Sequence, residues 1–221
     1  MSAALPDLII FDCDGVLVDS EPLAAAALAA ELAATGIETT SQECLDRYTG
    51  LSLDSVIACI EERWERNLPN DFRDRLKERD YDAFRRYLRP IPGVEALLAA
   101  LTMPKCVASS GSLEKLGVTL TATGLMPYFA PHVFSAEEVA RGKPAPDLFL
   151  YASERMGVTP DRCVVVEDSI AGVTAARAAG MDVIGYAGGS HADGGYAERL
   201  RQAGAAEVAS SMDQLAAALA R

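Results

Sequence analysis

Two aspartates with one residue between them, Asp12 and Asp14, are followed by Gly15 and stand at the end of a short apolar run, Leu8-Ile9-Ile10-Phe11. The run is too short for a buried helix, is rich in isoleucine and stops at a turn signal. It reads as a buried parallel strand. Its C-terminal end then presents both carboxylates, and in open α/β sheets that edge is where ligands bind. Successive strand residues point to opposite faces, so Asp12 and Asp14 share a side with Cys13 between them. Two carboxylates held close at neutral pH repel each other unless a cation neutralises them or one keeps its proton. The pair therefore points to cation-assisted or acid–base chemistry. Its plain alternative is an acidic turn that caps the following helix.

Two more predicted strands end in polar groups. Cys106 to Ser109 runs into Ser109-Ser110-Gly111-Ser112, and Cys163-Val164-Val165-Val166 runs into Glu167-Asp168. A parallel sheet brings these ends to the edge that carries Asp12 and Asp14. Carboxylates converging with other oxygens make a hard-cation site, which suits Mg²⁺. Ser109, Ser110 and Gly111 offer a hydroxyl and backbone N–H groups near a helix N-terminus, which suits phosphate oxygens. Lys143, in the Gly142-Lys143-Pro144 loop, supplies a fixed positive charge. Singly, each has an ordinary reading: Asp168 with Ser169 as a helix cap, Ser109 to Ser112 as a turn, Lys143 as a solvated lysine. Jointly they favour a site for a cation and a phosphate.

The elements that must position these residues fall into two groups. Helices are predicted over 22–34, 41–47, 53–67 and 71–88, with no strand between Leu17 and Arg89. Ile57, Ile60, Trp64 and Leu68 fall at helical spacing and read as core. A βαβ crossover needs one helix, and this stretch holds several. Residues 18–88 are therefore expected to be an all-helical cap domain, inserted above the edge that carries the aspartates. Residues 1–17 and 89–221 are expected to form the α/β catalytic domain. Its further strands are predicted at 106–109, 132–135, 163–168, 182–186 and 207–209. Its helices are predicted at 93–101, 112–123, 146–156, 170–179 and 213–220. A Gly-rich loop with Gly188, Gly189, Gly194 and Gly195 is placed between the last two strands, and His191 in it has no assigned role. The fold class is α/β, a doubly wound, mostly parallel, Rossmann-like sheet with a helical insertion.

Composition narrows the function. Half of the 221 residues are apolar and about a quarter charged, as in a soluble globular protein. A net charge of -12 argues against nonspecific binding to nucleic acid or to an anionic membrane. It also means that an anionic substrate needs a local cation. Five cysteines without a Cys-x-x-Cys suit reduced thiols. With no segment of membrane-spanning length, a cytoplasmic protein is expected. His132 and His191 are too far apart in sequence to suggest a histidine-rich zinc site.

With these residues assembled, the chain resembles, over nearly its whole length, the haloacid dehalogenase superfamily. The resemblance is to the branch with a helical cap after the first strand, which includes β-phosphoglucomutase, phosphoglycolate phosphatase and sugar-phosphate phosphatases. Asp12-Cys13-Asp14-Gly15-Val16 is similar to the nucleophile motif, Ser109 to the second-strand Ser/Thr and Lys143 to the third-motif lysine. Glu167-Asp168 is similar to the acidic metal-binding motif, and Gly172 falls in the glycine-containing turn after it. The resemblance implies that Asp12 is the nucleophile and Asp14 the general acid and base. It implies that Ser109, Ser110 and Lys143 hold the transferring phosphoryl group, and that Asp12, Asp14, Glu167 and Asp168 bind Mg²⁺. An aspartate at position 14 favours phosphate chemistry over dehalogenation, since a departing halide needs no proton.

The same resemblance separates phosphatase from mutase. β-Phosphoglucomutase carries a cap histidine where this chain has Ala24, and a lysine and an arginine where it has Thr49 and Leu53. The expected function is thus a Mg²⁺-dependent phosphatase acting on a small phosphorylated metabolite, with a phosphomutase as the alternative. Arg47, Tyr48, Thr49 and Ser52 are the candidates for substrate contact in the cap. Met103 to Ser109 and Leu125 to Phe129 also resemble 6-phosphogluconate phosphatase-like members, which points to sugar or sugar-acid phosphates. A signalling receiver domain clusters similar residues but has no insertion like 18–88.

Overall fold

Leu8, Ile9, Ile10 and Phe11 are all fully buried, which accounts for an apolar run without alternation in strand β1 (Leu8–Phe11). A computed structural model describes residues 5–49, 51, 53–192 and 194–220. It divides into two compact units, one built from the chain up to Asp19 and from Arg89 onward, the other from Ser20–Leu88. The second unit contains helices α1 (Glu21–Ala34), α2 (Ser41–Tyr48), α3 (Leu53–Arg63) and α4 (Phe72–Tyr87). The first adds α5 (Val94–Ala100), α6 (Leu113–Ala122), α7 (Met126–Phe129), α8 (Asp147–Met156), α9 (Ile170–Ala178), α10 (Tyr196–Ala203) and α11 (Met212–Leu219). Among the described residues, no helix is long and apolar enough to cross a membrane.

The first unit is a doubly wound α/β fold. Its sheet joins β1 to β2 (Lys105–Ser109), β3 (Val133–Ser135), β4 (Cys163–Glu167), β5 (Asp182–Tyr186) and β6 (Glu207–Ala209) in the order β3-β2-β1-β4-β5-β6. Every pairing is parallel, and β1 lies between β2 and β4. On one face Leu8, Ile10, Cys106, Ala108, Val165 and Val183 pack in one cluster with Leu148 and Phe149 of α8, Val173 of α9 and Leu200 of α10. On the other, Phe11 meets Phe129 of α7 edge to face, with centroids 5.9 Å apart. Each of the buried Val, Leu, Ile and Phe side chains among them contributes about 1.5–3 kcal/mol.

The turn after β1 is a tight knot of backbone bonds. Cys13 O accepts from both Leu17 N and Val18 N, and Gly15 N donates to Val18 O at 2.8 Å. Gly15 has φ 74°, a left-handed conformation open to glycine at little cost. Ile91 N donates to Leu17 O, and Val18 bridges Pro90. The chain thus leaves and rejoins the first unit at one stitched crossing.

The helical unit has its own core of Leu28, Leu32, Ile37, Cys44, Val56, Ile60, Phe72 and Leu76. Ile60 is fully buried, with Ile57 and Trp64 partly buried against the cluster. A capping box between Thr40 and Glu43 starts α2. Glu31 is 2 % exposed as a side chain and pairs with Arg75 at 2.8 Å and Arg79 at 3.1 Å.

Several elements differ from expectation, the short helix α7 among them, where none was predicted. Helix α3 stops at Arg63 and not at 67. Arg66 N reaches back to Glu61 O, while Glu65 takes φ 48°. That is a Schellman-type ending without the glycine that usually announces it. The stretch between β5 and β6, expected as a Gly-rich loop, also contains the eight-residue helix α10, closed by Gly204 at φ 115°.

Candidate active site

The parallel register brings three strand ends level. Phe11 pairs with Val107 and with Val166, and Asp12 N donates to Val166 O at 2.9 Å. One step further along, Asp12 lies beside Ala108 and Glu167. Lys143, on the loop before α8, puts its ammonium among all three. Nζ donates to Asp12 Oδ1 and Glu167 Oε1 at 2.6 Å each, and to Ala108 O at 3.1 Å. An ammonium has three protons, and each has an acceptor on, or directly after, a different strand. The lysine side chain is 4 % exposed and also stands 5.0 Å from the centroid of the Phe149 ring.

Burial pushes Asp12 well above the usual carboxylate range; Lys143 pulls it down, while Glu167, Asp168 and Asp14 push it further up. Burial also pulls the Lys143 ammonium down, but Asp12 and Glu167 outweigh it and hold the group above the usual lysine value. The second oxygen of Glu167 accepts from Ser169 N at 2.7 Å and from Ser169 Oγ at 2.9 Å. Gly172 makes room for this carboxylate: a Cβ there would lie 1.7 Å from Oε1.

Asp14 and Asp168 have other partners. Lys115, in the first turn of α6, donates from Nζ to Asp14 Oδ2 at 2.7 Å. Ser112 caps that helix by accepting from Lys115 N. Asp168 Oδ2 lies 3.1 Å from His191 Nε2. Burial raises Asp168 to about 6, against the opposing hydrogen bond from His191. Ser109 is buried, its Oγ accepting from Gly111 N at 3.2 Å, whereas Ser110 is exposed. Ser135 on β3 holds the same turn by donating to Gly111 O at 2.7 Å.

The cap candidates lie in the other unit. The Thr49 hydroxyl donates to Leu45 O at 2.6 Å. Arg47 and Tyr48 line a cleft of about 450 Å³ with Cys59, Glu62 and Arg63. Ser52 lies outside the described residues.

The donors at the sheet edge fit a hard divalent cation. Asp12, Asp14, Glu167 and Asp168 outnumber Lys115 and Lys143, and the three other carboxylates add to the upward push that burial gives Asp12, against the pull of Lys143. Among the described residues, no three His, Cys, Asp or Glu side chains form a ready-made cage. Mg²⁺ does not need one, since it commonly takes one or two carboxylates and completes its shell with water and substrate phosphate. Of the four carboxylates Glu167 has both oxygens engaged, by Lys143 and Ser169, whereas Asp12, Asp14 and Asp168 each meet a lysine or histidine through one oxygen.

Lys115 and His191 were absent from the sequence reading of the site. The one signal for Lys115 is its place three residues after a capping serine. For His191 it is a lone histidine in a run of glycines.

Known proteins resemble the chain in sequence and in fold. A family model for haloacid dehalogenase-like hydrolases matches residues 6–180. The 6-phosphogluconate phosphatase of Escherichia coli strain K12 is 31% identical over 186 residues, covering 84% of each chain. A solved haloacid dehalogenase-like protein from Agrobacterium tumefaciens is 42% identical, with a TM-score of 0.85 over 97% of each chain. A hydrolase of the same family from Deinococcus radiodurans, solved with bound phosphate and sodium, is 36% identical. It aligns at a TM-score of 0.82, covering 98% of this chain and 96% of its own.

Proposed function

Because the chain belongs to the haloacid dehalogenase-like hydrolase family, we propose that it is a Mg²⁺-dependent phosphatase of a small phosphorylated metabolite. The substrate class is a sugar phosphate or sugar-acid phosphate, and the reaction passes through phosphorylated Asp12. The observation that carries this reading is the single buried ammonium of Lys143 bound to Asp12, Glu167 and the Ala108 carbonyl. It holds a carboxylate in place at a ligand-binding sheet edge and keeps a positive charge where phosphate oxygens arrive.

In this reading an Asp12 oxygen attacks phosphorus. The bond from phosphorus to the ester oxygen breaks, and Asp14 delivers its proton to that leaving oxygen. Water then attacks the phosphorylated Asp12, Asp14 takes the water's proton, and inorganic phosphate leaves with the Asp12 carboxylate restored. Lys143 offsets charge on the transferring group, and Ser109 with the Ser110 N–H orients it. Glu167 acts by fixing Lys143, and Lys115 by fixing the Asp14 carboxylate. Asp12 and Asp168, with the Asp14 carbonyl, would hold Mg²⁺. When bound, Mg²⁺ neutralises phosphate charge and the carboxylate surplus. The name of the 6-phosphogluconate phosphatase relative favours a phosphorylated sugar acid or the sugar phosphates akin to it.

The test is phosphate release from p-nitrophenyl phosphate and from a panel of sugar and sugar-acid phosphates. Turnover with Mg²⁺ is expected to stop with EDTA and to fall by roughly 10⁴-fold or more in Asp12→Asn. No turnover on any substrate overturns the reading. Isomer interconversion without net phosphate release would replace it with a phosphomutase.

A further inference from the structure

The loop after β5 carries His191, which takes no part in the steps above. The imidazole is nonetheless built into the sheet edge: its side chain is 5 % exposed, and Nε2 lies 3.1 Å from Asp168 Oδ2. Two glycines make the approach possible. A Cβ at Gly15 would lie 1.8 Å from Asp168 Oδ2 and 3.0 Å from His191 Cε1. A Cβ at Gly189 would lie 2.7 Å from the same ring carbon. Tyr196 of α10 closes the far side, edge to face, with centroids 5.1 Å apart. The loop is fixed as well, with Ala192 N donating to Gly189 O and Ser190 Oγ to Asp19 Oδ1.

We infer that His191 is a positioning residue for the cation: it sets the plane of the Asp168 carboxylate, making the glycine loop part of the metal site. This rests on the reading above, in which Asp168 holds Mg²⁺. A carboxylate turning freely about its last torsion loses orientational freedom on meeting a cation. An N–H on Oδ2 removes that freedom beforehand and uses only one of the group's acceptor positions. Neutral imidazole has such a donor, so the bond does not depend on histidine charge. Groups behind a metal ligand commonly set affinity in this way, and their loss costs about 10–100-fold.

The experiment is calorimetric titration of the intact, substrate-free chain with MgCl₂, comparing wild type with His191→Ala, His191→Gln and His191→Asn. Alanine is expected to weaken Mg²⁺ binding about 10–100-fold. Glutamine can place its amide N–H where Nε2 stood and is expected to restore most of the affinity; asparagine is too short and is not. Circular dichroism separates weakened binding from misfolding, and the glutamine–asparagine pair decides the matter if alanine fails to fold. Equal Mg²⁺ affinity in the glutamine, asparagine and wild-type proteins overturns this inference while leaving the phosphatase reading intact. A wild type that binds no Mg²⁺ overturns both.

Discussion

The two units each bury a glutamate, and they treat it in opposite ways. Glu167 shares one lysine with Asp12, and all three side chains are nearly sealed from water. Glu31 has two arginines, Arg75 (which also meets Asp71) and Arg79, and both remain over 40 % exposed. The first arrangement has two carboxylates to one ammonium, a surplus that a further cation or a retained proton relieves. The second is fully countered and has water within reach of both guanidinium groups. Charge left over in a sealed place signals a site with a missing partner, whereas charge balanced at a boundary signals structure. A buried acid alone distinguishes neither.

The largest expected effect is at Lys143. Lys143→Met leaves Asp12 and Glu167 side by side without a cation. It should cost about 3–5 kcal/mol of stability and at least about 10²–10³-fold in turnover. Denaturant melts and phosphate release measure the two. Glu31→Ala should cost less, about 1–3 kcal/mol, because Arg75 and Arg79 can turn to solvent. If the same melts show it costing more than Lys143→Met, the contrast between the two glutamates is broken. Lys115→Met sharpens the comparison within the site, because the acid role of its partner Asp14 matters only when the leaving group needs a proton, whereas its base role serves every ester. Its turnover should fall about 10–100-fold on an alkyl phosphate and by less on 2,4-dinitrophenyl phosphate, where only the base role remains. Equal losses on both esters would show that Lys115 does not act through the proton given to the leaving oxygen.

What could be read from the chain alone follows from range. The strands were legible because burial on both faces demands unbroken apolar runs such as Leu8 to Phe11 and Cys163 to Val166. The convergence of Asp12, Ser109 and Glu167 followed from parallel pairing, since strands of one direction end on one edge. Lys115 and His191 were not legible. Lys115 is 101 positions from Asp14 and resembles any lysine in a first helical turn. His191 acquires meaning only because Gly15 and Gly189 leave space for its ring. The end of α3 was missed for a local reason, since Glu65 adopts a backbone conformation that normally advertises itself as glycine.

Lys143 touches Asp12 just after β1, the Ala108 carbonyl on β2 and Glu167 on β4, and its partner Asp12 is 131 positions away. A slip of one residue in β1 or β4 would turn the carboxylate it contributes to the opposite side of the sheet. In the proposed reaction turnover is then an audit of strand alignment: a ribosome-bound chain that has not yet emerged through Glu167 would have no catalyst, and a misaligned product would be silent. Activity regained during refolding therefore counts correctly threaded molecules and passes over those that are merely collapsed.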